Sequence, residues 1–205
     1  MNLRHFFSVS SLWLALAVGA CAVGDEGARG EPVDPTNPED PAGTEERGQA
    51  LFTQLCAECH GSEGQGSALA FQVQNPIVNY ATFVIRNGRN SVTFPENMPD
   101  YPADEMSDDD LNSILFFLRQ APKPTSGAGL FARFCANCHG SDGRGGEVNV
   151  DVVEEAQEKP EEVLETVREG EGQSAAQRFD YMPKFSPQDL SDAEVNQITE
   201  FLLDQ

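Results

Sequence analysis

Basic side chains are scarce in this chain of 205 residues: 13 Lys and Arg stand against 34 Asp and Glu, for a formal charge of −21. Binding DNA or RNA requires a cationic face that displaces counterions from phosphates, so nucleic acid is not an expected partner and a basic protein surface is. Long apolar runs are also missing. The most hydrophobic stretch, Phe6 to Val18, is shorter than the roughly 20 residues a spanning helix needs. Nowhere do apolar and polar residues alternate for long enough to suggest a sheet. Histidine occurs only three times. With 18 Gly and 13 Pro but 39% hydrophobic residues, the composition is that of a globular chain with loops and linkers rather than one large core. The length allows two small domains, and domains of about 80 residues usually rely on disulfides, a metal or a cofactor to supplement a thin core.

Arg4 precedes the apolar run, which ends in Val18-Gly19-Ala20-Cys21. One basic residue, a short apolar segment and small residues at a cleavage point make residues 1–20 an export signal. Its end resembles the lipobox of bacterial lipoproteins. That resemblance implies cleavage before Cys21, a lipid on that cysteine and, with Ala22 following, a lean toward the outer membrane. Ordinary signal cleavage after Ala20 or Ala22 is the alternative, but lipidation also accounts for an odd count of five cysteines. Residues 21–44 are rich in proline and glycine, with Arg29 the single base among six acids. They are too polar to bury surface and read as a tether reaching about 25–30 Å as a flexible coil. The chain is expected to be exported and lipid-anchored on the periplasmic side of a bacterial membrane.

From residue 45 onward the sequence repeats itself. GQALFTQLCAECHGSEGQG from Gly48 matches GAGLFARFCANCHGSDGRG from Gly127 at an offset of 79. Arg86 and Gly88 match Arg168 and Gly170 at 82, and Met98 matches Met182 at 84, where MSDDDLNSILFFL also matches LSDAEVNQITEFL. Two insertions between the CxxCH triplet and the methionine explain the drift. Two homologous domains are expected, at 45–124 and 125–205.

Each repeat carries three helix signals. Leu51, Phe52 and Leu55, and Leu130, Phe131 and Phe134, recur at helical spacing before the triplets, which puts the cysteines near a helix's last turn. In the middle, Pro160-Glu161-Glu162 reads as a helix start with Gly170 as its stop, and Val78 to Asn87 with Gly88 is the counterpart. At the end, Ser107-x-x-Asp110 and Ser191-x-x-Glu194 read as capping boxes before Leu111, Ile114, Leu115 and Leu118 and before Val195, Ile198, Phe201 and Leu202. The fold class is therefore all-α.

Cys56-Ala57-Glu58-Cys59-His60 and Cys135-Ala136-Asn137-Cys138-His139 have the spacing for c-type haem attachment. Two thiols three residues apart can form thioethers with the two vinyl groups of one porphyrin, and the adjacent imidazole can coordinate its iron. A thioredoxin-type dithiol would open a helix in an α/β pattern that this chain lacks. A zinc held by both cysteine pairs would leave the histidines unexplained. Disulfides within each CxxC would close only tiny loops.

His5 lies in the export signal, so His60 and His139 are the mature chain's histidines and a second histidine ligand within the chain is excluded. Methionine is the next candidate for the sixth position. Met98 and Met182 occupy equivalent positions, each followed by proline, whereas Met106 matches Leu190 and reads as packing at a helix entry.

The two triplets with their matched methionines resemble the two-haem, class I cytochromes c over roughly residues 45–205. The resemblance implies two tandem cytochrome c-like domains, each a few short helices wrapped around a covalent haem. It also implies that the helix before the triplet crosses the final helix, with Gly48 and Phe52 against Phe117 and Gly127 and Phe131 against Phe201. The family usually has a proline soon after the triplet whose carbonyl holds the histidine ring. Here Pro76 comes late and no proline lies between Cys138 and Pro160, so the acceptor for each imidazole is not assigned.

A haem with histidine and methionine on its two faces has no vacant position for oxygen or peroxide, and thioether ligation raises its potential relative to two histidines. The expected function is a dihaem electron carrier between exported or membrane-bound redox partners, not an enzyme. The alternatives are a cytochrome subunit of a dehydrogenase or oxidase complex, or a dihaem peroxidase-like enzyme. Residues 45–124 hold 11 acids and 5 bases, and residues 125–205 hold 17 and 6. The more acidic second domain would steer a partner with a basic docking surface, or serve solubility alone. Arg86 and Arg168 would each pair with a haem propionate or complement a helix dipole.

Overall fold

The computed structural model describes residues 44–172 and 181–205. The export signal, Cys21 and nearly all of the tether lie outside the described residues. The described residues of both repeats belong to one unit.

The first repeat opens with α1 (Glu45–Leu55), whose N-cap Thr44 accepts the Arg47 N–H at 3.2 Å, with Glu45 and Glu46 complementing the helix dipole. The helix breaks at Cys56, and α2 (Ala57–His60) forms a separate turn that carries the rest of the triplet. Then come α3 (Val78–Asn87), stopped at Gly88 with φ 67°, and α4 (Asp108–Arg119). The second repeat follows the same course with α5 (Gly127–Phe134), α6 (Ala136–His139), α8 (Val163–Glu169) and α9 (Asp192–Leu203). Between α6 and α8 it adds a minimal antiparallel pair, β1 (Arg144–Gly145) and β2 (Val150–Asp151), and α7 (Val152–Glu158). The fold is all-α, as expected.

Two local expectations change. Helix α7 was not anticipated: Asp151 caps it by accepting from the Val153 and Glu154 N–H groups, a start signal hidden inside an acidic run. Pro160-Glu161-Glu162 forms a turn instead of a first helical turn, and α8 begins at Val163.

The first and last helices of each repeat cross at a glycine. A Cβ on Gly48 would collide with the Ser113 carbonyl oxygen, and one on Gly127 with that of Gln197. Close approach brings Phe52 to 5.6 Å from Phe117 and Phe131 to 5.5 Å from Phe201, both tilted ring pairs. Leu51, Phe52, Met106, Leu111, Ile114, Leu115 and Leu118 make one core. Leu130, Phe131, Val153, Ala156, Phe185, Leu190, Val195, Ile198 and Leu202 make the other. Each of these side chains except Ala156 contributes roughly 1.5–3 kcal/mol on burial. Met106 and Leu190 are both core residues, so packing is their shared role.

Ser191 and Glu194 form a complete capping box. At the other entry Ser107 caps the Asp110 N–H, but the aspartate, one methylene shorter, is taken instead by the Ser107 hydroxyl and the Arg47 guanidinium. The equivalent carboxylate in the second repeat, Glu194, receives its cation from the connector, Lys123, at 2.7 Å.

Arg86 and Arg168 are occupied within their own repeats. Arg86 donates to the carbonyls of Tyr101 and Met106 and to Asp108; Arg168 donates to those of Phe185 and Leu190 and to Asp192. Each arginine thus clamps the middle helix to the entry of the last one, a contact that by itself accounts for its repetition.

Candidate functional site

Cys56 and Cys135 are the C-cap residues of α1 and α5, and the short helices that follow turn Cys59, His60, Cys138 and His139 onto the next half-turn. None of these four cysteines is in a disulfide. Burial, with a smaller contribution from the neighbouring thiol, pushes Cys56 and Cys135 up to about 12, so both are neutral. Burial likewise lowers the proton affinity of His60 and His139. A neutral imidazole is the form that binds a metal. Among the described residues no three His, Cys, Asp or Glu side chains gather as a cation site, which leaves the shared-zinc alternative without its geometry.

The acceptor absent from the sequence reading is the Phe71 carbonyl, 2.7 Å from His60 Nδ1. A carbonyl can only accept, so Nδ1 carries the proton and Nε2 keeps its lone pair for a metal. Val150 occupies the same position in the second repeat. The Gly64 carbonyl accepts from Val73 N–H and the Gly143 carbonyl from Val152 N–H, which extends the offset of 79 through this loop. The Val150 carbonyl raises the proton affinity of His139, yet His139 Nδ1 is buried without a bond of hydrogen-bonding geometry.

Both methionines sit in the same device. Met98 exchanges two backbone hydrogen bonds with Arg89, and Met182 two with Glu171, forming isolated antiparallel bridges just beyond the glycine that ends α3 or α8. Gly88 and Gly170 have φ of 67° and 63°, and a Cβ on either would press on the methionine's carbonyl oxygen. Met98 is half-buried; Met182, like Cys135, Val163, Leu164 and Val167, packs against the second core. Helices α3 and α8 bear Val78, Phe83, Val84, Ile85, Val163, Leu164 and Val167, yet hold no fully buried residue. Half-covered apolar helices beside each triplet, neutral thiols at vinyl spacing, a free imidazole nitrogen and a repeated thioether fit covalent haem in both repeats.

The seam between the repeats runs past these groups. Asn137 Nδ2 donates to the Gln72 carbonyl at 2.7 Å, and Arg133 donates to the Asn75 side chain. Arg89 places one guanidinium nitrogen 3.5 Å from Cys138 Sγ and lies 5.9 Å from the Phe71 ring centroid, with its Nε buried and unpartnered. Tyr80 stacks on Tyr181, the residue before Met182, at 5.4 Å. A cleft of about 450 Å³ between Ile77–Asn79 and Lys184–Asp189 contains none of the triplet residues. Arg89 was missed in the sequence because its counterpart is Glu171, so the repeat comparison gave it no weight. Among the described residues no helix is long and apolar enough to cross a membrane.

The family model described as cytochrome C oxidase, cbb3-type, subunit III matches the chain twice, over residues 43–118 and 122–202. No curated protein matches it. One similar solved structure is cytochrome cL of the marine methylotrophic bacterium Methylophaga aminisulfidivorans, 18% identical, covering 54% of this chain and 78% of that one with a TM-score of 0.29. Another is a reducing HAO-like protein complex of Kuenenia stuttgartiensis, 17% identical, covering 80% and 97% with a TM-score of 0.28. Family assignment rests on the two model matches.

Proposed function

We propose a function from the premise that the chain belongs to the cytochrome c family described as cytochrome C oxidase, cbb3-type, subunit III. Cytochrome c domains imply covalently bound haem c and electron transfer. The finer reading is a dihaem carrier. In it Cys56, Cys59, His60 and Met98 hold one haem, and Cys135, Cys138, His139 and Met182 hold the other. The bound group supplies one-electron chemistry; the chain orients the imidazoles, presents the thioethers and covers the porphyrin with α3 and α8. The observation that carries this reading is the hydrogen bond that fixes His60 with its Nε2 free, in a repeat whose methionine is pinned by the same bridge as its counterpart.

With both axial positions filled in each site, outer-sphere transfer is favoured over peroxide chemistry. Cys21 carries a lipid in this reading, and the tether lets the anchored head meet partners on the periplasmic side. Donor and acceptor dock through basic surfaces against the acidic second domain. Their reaction rates then fall as ionic strength rises.

Optical spectra of the exported, haem-loaded chain test the proposal. Two covalent low-spin haems with a full-strength far-red iron–methionine band are expected; a high-spin component would put the peroxidase alternative ahead, and absence of haem would sink both. A second reading, favoured by the family's description, is a cytochrome subunit of an oxidase complex. Co-purification of a catalytic partner with the tagged chain would select it over a free carrier.

A further inference from the structure

The Arg89–Met98 segment has little apolar anchorage of its own. Its ends are joined by the Arg89–Met98 bridge, and Phe94 packs edge-on against Phe71 at 4.7 Å. Between them Val92 is 73% exposed. The loop folds over Ser91, whose Oγ accepts from the N–H groups of Thr93 and Phe94, while the Ser91 N–H donates to Asn97 Oδ1. Several N–H groups therefore point to one spot.

A carboxylate from the other repeat fills it. Glu147, only 6% exposed, accepts from Thr93 N–H at 2.8 Å and Ser91 Oγ at 3.0 Å through Oε1, and from Val92 N–H at 3.0 Å through Oε2. Both oxygens are used, as a buried carboxylate requires. The position equivalent to Glu147 at the offset of 79 is Ala68, so the first repeat has no carboxylate with which to return the brace.

We propose that Glu147 of the second repeat is a positioning residue for Met98 of the first, holding the loop that presents the methionine so that the first haem site is completed by its neighbour. The inference rests on the reading that Met98 is an axial ligand. A loop freed from Glu147 would sample more conformations, and the thioether would be lost from the iron more readily than Met182, which packs on its own core.

The test uses the full exported, haem-loaded chain and the far-red iron–methionine band. Glu147→Ala is expected to reduce the band about twofold while both haems stay covalently attached. In a Met182→Ala background, where Met98 alone gives the band, it is expected to abolish it. Glu147→Gln, whose amide oxygen still accepts from Thr93 and Ser91, is expected to restore most of it. Ser91→Ala, which leaves the second repeat untouched, is expected to weaken the same half of the band. A band at full strength in both Glu147→Ala and Ser91→Ala overturns the inference. So does an equal loss from both centres, which would assign Glu147 to general stability. A wild-type protein with two haems and no far-red band would instead overturn the ligand reading beneath it.

Discussion

The Nδ1–H of His60 donates to the carbonyl oxygen of Phe71 at 2.7 Å. At the equivalent place the Val150 carbonyl acts on the buried His139 Nδ1 but outside hydrogen-bonding geometry. Donation from Nδ1 makes an imidazole a stronger electron donor through Nε2 and favours ferric iron, so the first centre should have the lower potential. Arg89 acts in the same sense, because its guanidinium lies against Cys138 of the second triplet.

Arg89→Gln removes that cation. A unit charge at about 10 Å and an effective dielectric of about 20 is worth roughly 1–2 kcal/mol, or about 40–90 mV for one electron. Spectroelectrochemical titration should resolve two potentials, with the variant lowering the higher one by some tens of millivolts and the lower one by less. Equal shifts in both, or in neither, would refute the assignment.

Gly127→Ala opposes two effects. Gly127 is the first residue of α5, where alanine gains less than the roughly 1 kcal/mol it gains over glycine in a helix interior such as that around Gly48, and the new Cβ meets the Gln197 carbonyl oxygen. Overpacking of this kind costs about 1–3 kcal/mol or more, so thermal unfolding should fall by several degrees, and Gly48→Ala should behave alike. A rise in melting temperature for either would show that the helices separate freely.

Asp110 provides a pH test. Burial alone would raise its affinity for protons, but hydrogen bonds from Ser107 and Arg47 outweigh it and hold the carboxyl below its ordinary value. A group lowered on folding stabilises the fold fully above its unfolded value of about 3.9, and that contribution is lost as pH falls through the folded value. Asp110→Asn should therefore cost about 1 kcal/mol at pH 7, with the gap to wild type closing below about pH 4. Melting curves of the two proteins across pH 3–7 measure it; a gap that widens in acid would reverse the sign.

Replacing both Cys56 and Cys59 with serine should leave one covalent haem per chain, and the Cys135 and Cys138 pair should do likewise. Intact mass after export reads the count directly. Loss of both haems from either variant would mean that the sites do not mature independently.

Most of the proposed chemistry is legible along the chain because it depends on covalent spacing and residue type. Two cysteines three apart with a histidine next to them, a methionine before a proline, a serine three residues before an acid, and a glycine where two helices meet keep their meaning without knowledge of distant partners. The repeat then cross-checked each of them and separated Met98 and Met182 from the core residue Met106. Tertiary structure decided the rest. The acceptor for His60 is a backbone carbonyl, which every residue has, so no side chain marks Phe71. Arg86 and Arg168 look like any exposed arginine until the loops that accept their hydrogen bonds fold over them. Arg89 meets Cys138 across 49 residues, and Glu147 meets Val92 across 55. In a chain with 34 acids Glu147, buried against a loop of N–H groups, is distinguished only by what the fold brings to it.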